Sequence, residues 1–357
     1  MSNFRNDGDV QEDNKKIPLN MTQHYEHNEA ATAASIQHKT TVTFIQFILV
    51  CTIFVIGQAL SMSTNSSSVS ASPSQGLANN RRPPNVIIVG GSSGMGKACA
   101  MTTVQHGGRV LLISRSADKL AKAREEIIST CGILDPSIVT TAVLDATDED
   151  AVRSFASSSS HFQTDEANNE EHQHHPQWDG LVYTAAGRAP HGPITSLPTS
   201  DTRSILDSKF WGAYYCAKFL SQKLRDGGAI VFTAGVLNRR PGMNCVPLAI
   251  TNGALEGMTR ALALEFGPRL RVNCLSPGFC DTERFDHMDA QMKEAMLRNT
   301  ADSLPLKRVG TPQDMGEALY YLLTARFCTG VVLDVDGGHG IRQYANPSTD
   351  PMRTSTS

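Results

Sequence analysis

Apolar runs and amphipathic segments alternate along the chain from about residue 85 to residue 340. Short runs in which nearly every residue is apolar are typical of parallel strands that are buried on both faces. Seven such runs predict strands at 85–89, 109–114, 139–144, 178–184, 229–232, 271–275 and 331–335. The segments between them predict helices at 97–106, 119–129, 201–225, 246–266, 283–304 and 311–325. The alternation predicts one α/β domain, residues 85–340, with a Rossmann-type, doubly wound parallel sheet whose ligand lies at the carboxyl edge of the strands.

The predicted helix 201–225 has a clear apolar stripe. Apolar residues recur there at spacings of four and three, which places them on one helical face. The stripe consists of Leu206, Phe210, Ala213, Ala217, Leu220 and Leu224. We expect this face to pack against the sheet.

The chain before the domain divides into three segments. Residues 1–41 are polar and without periodicity, which predicts disorder. Residues 42–60 carry no charge, and as a helix they would span roughly 28 Å, close to the thickness of a bilayer core. We therefore predict a single-pass membrane anchor there rather than a buried helix of the domain, with its orientation open. Residues 61–84 are rich in Ser, Asn and Pro and predict a flexible linker.

Two further segments do not follow the α/β pattern. Residues 156–177 are rich in Ser, Asn and His and are interpreted as a low-complexity insertion. Its four histidines, His161, His172, His174 and His175, belong to that polar run, and we expect no metal site. Residues 341–357 are polar and predict a disordered tail.

Composition narrows the classes of function. The predicted domain has about 260 residues, which is a normal size for one α/β domain with a single core. The net charge is −3 and no basic stripe is present, so we expect no nucleic-acid partner. The eight cysteines lack paired ligand spacing and are interpreted as free thiols rather than a zinc site.

A glycine-rich turn follows the first predicted strand and precedes a helix. Glycines let a backbone approach an anion closely, and the free N–H groups at a helix start point at it. Strand, turn and helix together predict a site for the pyrophosphate of a dinucleotide. The turn contains Gly90, Gly91, Ser92, Ser93, Gly94, Met95 and Gly96.

The ends of the next strands carry candidate contacts for the rest of the cofactor. Arg115 follows the second strand, where a guanidinium would bind a 2′-phosphate, so NADP(H) is favoured over NAD(H); the alternative is a solvated arginine. Asp145 and Ala146 follow the third strand, and Asp145 either contacts adenine or caps the next helix. The small residues Ala186 and Gly187 leave room for a ligand after the fourth strand.

From about residue 84 to residue 340, the chain resembles the short-chain dehydrogenase/reductase family. The resemblance is carried by the motifs at 90–96, 145–147, 186–187, 253–265, 271–273, 277–282 and 329–338. It implies a small-molecule substrate, a homo-oligomer and specific cofactor contacts. The implied phosphate loop contains Gly90, Ser92, Ser93, Gly94, Met95 and Gly96. Asp145 and Ala146 would lie at the adenine and Ala186 and Gly187 near the ribose, while Pro277, Gly278 and Thr282 would hold the nicotinamide end.

The family's catalytic residues are replaced when the chain is aligned through residues 253–257. The tyrosine position falls on Leu248, the lysine position on Asn252, the serine position on Gly235 and the asparagine position on Lys209. Leu248 cannot transfer a proton. Lys209 is therefore the candidate catalytic residue, and the alternative is a structural lysine that binds ribose, a carbonyl or an acid.

Two functions remain open from the sequence. The first is an NADP(H)-dependent oxidoreductase that acts on a carbonyl, an alcohol or a C=C bond by a non-standard proton route. The second is a dinucleotide-binding protein with little or no redox activity, acting as a cofactor sensor or a membrane-tethered partner. Arg239 and Arg240, after the fifth strand, either recognise an anionic substrate or form a solvated pair.

Overall fold

A computed structural model describes residues 82–158, 160–162 and 178–344. The predicted disordered N-terminus, residues 42–60, most of the linker, residues 163–177 of the insertion and the tail from residue 345 lie outside the described residues.

Seven parallel strands form one sheet, as predicted. The strands are β1 (Asn85–Val89), β2 (Arg109–Ser114), β3 (Val139–Val143), β4 (Trp178–Tyr183), β5 (Leu224–Thr233), β6 (Leu270–Pro277) and β7 (Val332–Val335). Their order is β3-β2-β1-β4-β5-β6-β7. After β3 the chain crosses to the other half of the sheet, where β4 pairs with β1. This change of direction leaves a crevice between the carboxyl ends of β1 and β4.

Helices cover both faces of the sheet. They are α1 (Gly94–Gln105), α2 (Ala117–Thr130), α3 (Glu149–Ser158), α4 (Thr199–Leu206), α5 (Gly212–Leu220), α6 (Val246–Phe266), α7 (Ala290–Asp302) and α8 (Pro312–Thr324). A π-helical turn, Asp207–Trp211, joins α4 to α5. Helix α3 is missing from the predicted helices, although Ala151, Val152, Phe155 and Ala156 form an apolar face that packs on the core.

The core has two layers, one on each face of the sheet. Side chains alternate along each strand, so Ile87 and Val89 pack into the layer beneath α3, α5 and α6, while Val86 and Ile88 pack beneath α1, α2 and α8. All four are essentially buried. Full burial of such a side chain contributes about 1.5–3 kcal/mol, which explains why the strands appear as uninterrupted apolar runs.

The predicted helix 201–225 is divided and ends earlier than expected. After α5, the chain makes a short turn and enters β5 at Leu224, which pairs with Trp178 of β4. The sequence around Gly227 resembles a loop, and Gly227 has a φ of +80°. The strand continues through it because the Gly227 N–H donates to the Arg269 carbonyl and Gly228 pairs with Leu270.

The buried stripe of this region also differs from the prediction. Ile205 and Lys209 are buried, whereas Leu206 and Phe210 are only half-buried. A charged residue such as Lys209 is ordinarily assigned to the solvent face. The apolar pattern therefore placed the adjacent residues Leu206 and Phe210 on the buried face instead. The stripe is correct from Ala213 onward.

The structure describes parts of the predicted low-complexity insertion, 156–177, and of the predicted disordered tail, 341–357. Residues 156–158 complete α3, and a 3₁₀ turn, Ser160–Phe162, follows it. The His161 carbonyl accepts the Trp178 indole N–H at 3.2 Å, so this part of the insertion packs against β4. The predicted tail begins within another 3₁₀ turn, His339–Tyr344.

The predicted membrane localisation is wrong. No helix within residues 82–158, 160–162 and 178–344 is both long enough and apolar enough to cross a bilayer. The predicted span, residues 42–60, lies outside the described residues. The prediction rested on the lack of charge in residues 42–60 and on the length of the helix that they would form.

The close packing of α1 on α8 depends on Gly316. A Cβ atom at Gly316 would lie 2.7 Å from the backbone carbonyl carbon of Ala98. We therefore expect Gly316→Ala to lower the free energy of unfolding by about 1–3 kcal/mol, measured by urea denaturation. The matched control is Gly257→Ala, since Gly257 lies in α6 with open space around it. There we expect a gain of about 0.5–1 kcal/mol, and equal effects at both positions would contradict the packing.

Candidate cofactor and active site

The residues predicted to contact a cofactor lie at the carboxyl edge of the sheet. Each group follows the end of a different strand, as parallel topology requires. Residues 90–96 follow β1, Arg115 follows β2, residues 145–146 follow β3, residues 186–187 follow β4, and residues 277–282 end or follow β6. Their roles as cofactor contacts remain predictions.

The glycine-rich turn is held tightly against β4. A Cβ atom at Gly96 would lie 2.3 Å from the Gly90 carbonyl oxygen, and one at Gly90 would lie 2.6 Å from the Ala185 nitrogen. Gly90 also has a φ of +88°. The Thr184 hydroxyl lies 3.2 Å from the Val89 carbonyl oxygen and 3.3 Å from that of Gly90. The glycines are therefore required by the fold as well as by any ligand.

The N-terminus of α1 accepts an anion in this structure. The Gly94 N–H donates to Oε2 of Glu283 at 2.8 Å, and Oε1 lies 2.8 Å from Nζ of Lys97. Partial burial raises the pKa of Glu283, but the bonds from Lys97 and Gly94 outweigh it, so the pKa lies below its usual value. The carboxylate stands where the helix dipole favours negative charge, and the site therefore fits a phosphate.

Thr282 also lies beside the glycine-rich turn. A Cβ atom at Gly94, whose φ is +52°, would lie 3.4 Å from Cγ2 of Thr282. The residues after β6 and the turn after β1 are therefore neighbours, as a site that holds both ends of a dinucleotide requires.

Arg115 and Asp145 lie on adjacent loops after β2 and β3. The exposed Arg115 forms no ion pair with an acidic residue in the described ranges. Asp145 accepts bonds from the backbone N–H and the hydroxyl of Thr147, at 2.9 and 2.8 Å. Although burial raises the pKa of Asp145, these bonds and the charge of Arg115 leave it lowered. Asp148 rather than Asp145 accepts from the first turn of α3, so the helix-cap interpretation of Asp145 is not supported.

The π-helical turn between α4 and α5 is fixed by contacts with β4 and the loop that follows it. The Gly212 N–H donates to the carbonyl of Asp207, five residues earlier, instead of to the carbonyl of Ser208, four residues earlier. The Ser208 carbonyl instead accepts the Tyr183 hydroxyl at 2.6 Å. The Ser208 hydroxyl accepts the Gly187 N–H at 2.9 Å. Such π-helical insertions frequently occur at functional sites.

Lys209 extends from this turn into the interior. Its Nζ atom donates to the Ala234 carbonyl at 2.7 Å and to Oδ1 of Asn252 at 2.6 Å. Lys209 is only 8% exposed. Burial lowers its pKa to about 8, and the positive charge of Arg284 adds to this effect. The structure therefore brings Lys209 to the end of β5 beside α6.

The positions aligned with the family's catalytic serine and lysine are in contact with each other. A Cβ atom at Gly235 would lie 3.0 Å from Nδ2 of Asn252. The Asn252 side chain thus uses space that a side chain at residue 235 would need.

Arg239 does not project freely into the cleft. Its guanidinium forms an ion pair with Asp334, lies 3.2 Å from the Glu256 carboxylate and donates to the Ser276 hydroxyl at 2.8 Å. Arg239 therefore joins the segment after β5 to β6, β7 and α6.

The family model described as Enoyl-(Acyl carrier protein) reductase matches residues 89–340. The chain belongs to the short-chain dehydrogenase/reductase family. The match covers strands β2 to β7 and the last residue of β1, Val89. It confirms the family resemblance found in the sequence.

Curated relatives within the family are oxidoreductases by name. The chain is 28% identical over 263 residues to a peroxisomal 2,4-dienoyl-CoA reductase of Rattus norvegicus, covering 71% of this chain and 82% of the relative. It is 28% identical over 260 residues to an L-fucose dehydrogenase of Oryctolagus cuniculus, covering 71% and 84%. The coarse prediction of an oxidoreductase is therefore confirmed.

Solved structures of the family share the fold. A small-chain dehydrogenase in complex with NADPH is 28% identical with a TM-score of 0.57, covering 73% of this chain and all of that one. A short-chain type dehydrogenase/reductase from Mycobacterium ulcerans is 26% identical with a TM-score of 0.63, covering 72% and 90%. The homo-oligomer implied by the resemblance stays a prediction.

Sequence reasoning missed three site residues of this family member. Tyr183 ends a buried apolar strand, and a phenol in such a place ordinarily needs a hydrogen-bond partner, so a signal was present. Ser208 adjoins the candidate Lys209 but gave no signal of its own. Glu283 is the first residue of the predicted helix 283–304, and nothing in its spacing indicated a contact with the glycine-rich turn.

Glu283 is expected to compete with the phosphates of the predicted dinucleotide. Glu283→Gln keeps an acceptor for the Gly94 N–H but removes the negative charge. We expect NADPH to bind about fivefold more tightly to this variant, roughly 1 kcal/mol, in isothermal titration calorimetry at low salt, with the gain shrinking at high salt. The control is Glu294→Gln, which removes an exposed charge paired with Arg298 on α7. Weaker binding by Glu283→Gln would show that the carboxylate supports the site instead.

Proposed function

We propose that the chain is an NADP(H)-dependent oxidoreductase that reduces a carbonyl or a conjugated C=C bond, with Lys209 as the proton donor. The observation that carries this proposal is the buried ammonium at the end of β5, bound to two neutral oxygen atoms. The relative named as a 2,4-dienoyl-CoA reductase supports the C=C alternative.

In this proposal, the lysine and the asparagine of the family's catalytic set have exchanged helices. The family's lysine position holds Asn252 on α6, and its asparagine position holds Lys209 on the π-helical turn. Their side chains meet at 2.6 Å, so an ammonium remains in the same neighbourhood although it comes from the opposite helix. The Tyr-x-x-x-Lys pair is absent, and Leu248 and Gly235 contribute no proton.

The number of donors on Lys209 supports its role. An ammonium has three N–H donors, and two of them are used by Ala234 and Asn252. In the described ranges no protein acceptor is assigned to the third. After that proton is given to a product oxygen or to an enolate carbon, the neutral amine still has two N–H groups for the same two partners. Proton transfer therefore leaves no buried acceptor without its donor.

A reduced nicotinamide cofactor bound at this edge supplies the hydride. The residues that would hold it are the turn at 90–96 for the pyrophosphate, Arg115 for the 2′-phosphate, and residues 277–282 for the nicotinamide end. Lys209 supplies the proton that balances the added hydride, and it is itself converted from an ammonium to an amine.

Lys209 is expected to control the pH dependence of reduction. The reaction needs the ammonium, so the rate should fall as the pH rises through about 8, where Lys209 loses its proton. The neighbouring Cys274 stays a neutral thiol in this range because burial raises its pKa to about 12. We expect Lys209→Met to lower kcat by about 10²–10⁴-fold and to remove this limb of the profile, measured with NADPH and a panel of ketones and enones.

The control for Lys209→Met is Lys218→Met, which removes an exposed lysine on α5 that pairs with Glu149. NADPH affinity should stay within about twofold for both variants, because neither residue contacts the phosphate sites. Full activity in Lys209→Met would refute the proton route. Tight NADPH binding without turnover of any substrate by the unaltered chain would favour the cofactor-binding alternative.

Arg115 is expected to set the preference for NADP(H). Removal of a charged hydrogen bond to the 2′-phosphate should weaken NADPH binding by about 10- to 100-fold in Arg115→Ala and leave NADH binding unchanged. Fluorescence titration with both nucleotides measures the ratio. Arg109→Ala, at the opposite end of β2, is the matched control. An equal loss of affinity for both nucleotides would refute this role.

A further inference from the structure

Tyr183 and the π-helical turn form a connected unit beneath the candidate proton donor. Tyr183 is the last residue of β4 and is 2% exposed. Its hydroxyl donates to the Ser208 carbonyl at 2.6 Å. In a regular α-helix, that carbonyl would accept the N–H of Gly212. Here the Gly212 N–H donates to the Asp207 carbonyl, which leaves the Ser208 carbonyl available to the phenol.

Gly212 fits this arrangement for a steric reason. A Cβ atom there would lie 2.1 Å from the Tyr183 hydroxyl oxygen and 3.1 Å from the Ala146 carbonyl oxygen. A side chain at residue 212 would therefore displace the phenol. Tyr183 and Gly212 are complementary parts of one contact.

The π-helical turn determines the direction of Lys209. An α-helix advances about 100° per residue, so an inserted residue rotates everything before it relative to everything after it by about that angle. Ile205 and Lys209 are buried with the π-helical turn in place. In a continuous α-helix, the Lys209 side chain would be rotated relative to α5, which would move its ammonium from the Ala234 carbonyl and from Asn252.

We infer that Tyr183 is a positioning residue, whose hydroxyl holds the Ser208 carbonyl, keeps the turn Asp207–Trp211 in π-helical register and thereby aims the Lys209 ammonium at the reaction site. The phenol remains a donor across the physiological range, because burial raises the pKa of Tyr183 well above its usual value. The catalytic consequence rests on the proposed function, whereas the structural consequence does not.

The test is Tyr183→Phe, which keeps the ring and removes only the donor. The full-length protein is labelled with ¹³C at the lysine Cε, the Lys209 signal is assigned by comparison with Lys209→Met, and its titration is followed by NMR without cofactor. We expect the pKa of Lys209 to rise from about 8 by one unit or more toward the ordinary lysine value of 10.5, since the ammonium leaves its buried position.

Steady-state kinetics provides the second readout. We expect kcat to fall at least about tenfold, KM to change by less than about threefold, and the alkaline limb of the pH profile to move with the Lys209 pKa. Tyr214→Phe is the control, because it removes an exposed hydroxyl from α5 and keeps the ring that packs on Trp211. Because the ring and its contact with Trp211 are kept, this variant should leave both the Lys209 titration and kcat unchanged.

The outcomes separate this inference from the proposed function. An unchanged Lys209 titration in folded Tyr183→Phe overturns the positioning role. A shifted titration with unchanged kcat upholds the positioning role and refutes Lys209 as the proton donor. If Tyr183→Phe does not fold by circular dichroism, Gly212→Ala displaces the same phenol from the other side, and the same criteria apply to its Lys209 titration.

Discussion

The region where β5 ends beside α6 is organised by the need to give a buried ammonium its hydrogen-bond acceptors. A lysine pKa lowered from 10.5 to about 8 corresponds to about 3 kcal/mol of lost folding free energy at neutral pH. Between pH 8 and pH 10.5, Lys209 holds its proton in the unfolded chain but loses it in the folded protein. The destabilisation is therefore complete below about pH 8 and decreases as the pH rises from about 8 to 10.5. The bonds to Ala234 and Asn252 keep the cost this low, because an ammonium without acceptors would be far more expensive. Strand β5, helix α6 and the π-helical turn meet at this one group.

The sequence was sufficient for the sheet and insufficient for the turn beside it. Strands such as 85–89 are buried on both faces, and no other common element produces short, uninterrupted apolar runs between helical segments. The region from residue 201 to residue 225 was harder for two physical reasons. A lysine occupies the buried stripe, which contradicts the usual meaning of charge in an amphipathic pattern, and the π insertion depends on a phenol from a distant strand. Neither local propensity nor periodicity contains that information.

At the predicted cofactor contacts too, one part was predicted from the sequence and another was not. The glycine-rich turn was found from sequence because the predicted phosphate contact and the observed packing make the same demand on residues 90 and 96, namely the absence of a side chain. The partner of that turn was not found, because Glu283 reaches Gly94 across 189 residues of chain. Lys97 connects Glu283 with Glu126 of α2, so the charge at the start of α1 is balanced by residues from three separate segments. Contacts of this kind arise from the completed fold alone.

The tight fit between Gly235 and Asn252 has an evolutionary consequence. If the two helices have exchanged their lysine and asparagine, a return of serine to residue 235 would place its Cβ atom 3.0 Å from the Asn252 amide. A return of lysine to residue 252 would in turn confront the ammonium of Lys209 with a second one. Each single reversal would therefore require a neighbouring side chain to move, whereas a concerted change would not. Such epistasis would make the exchange a one-way step, in which a lineage that has crossed it retains its lysine at residue 209.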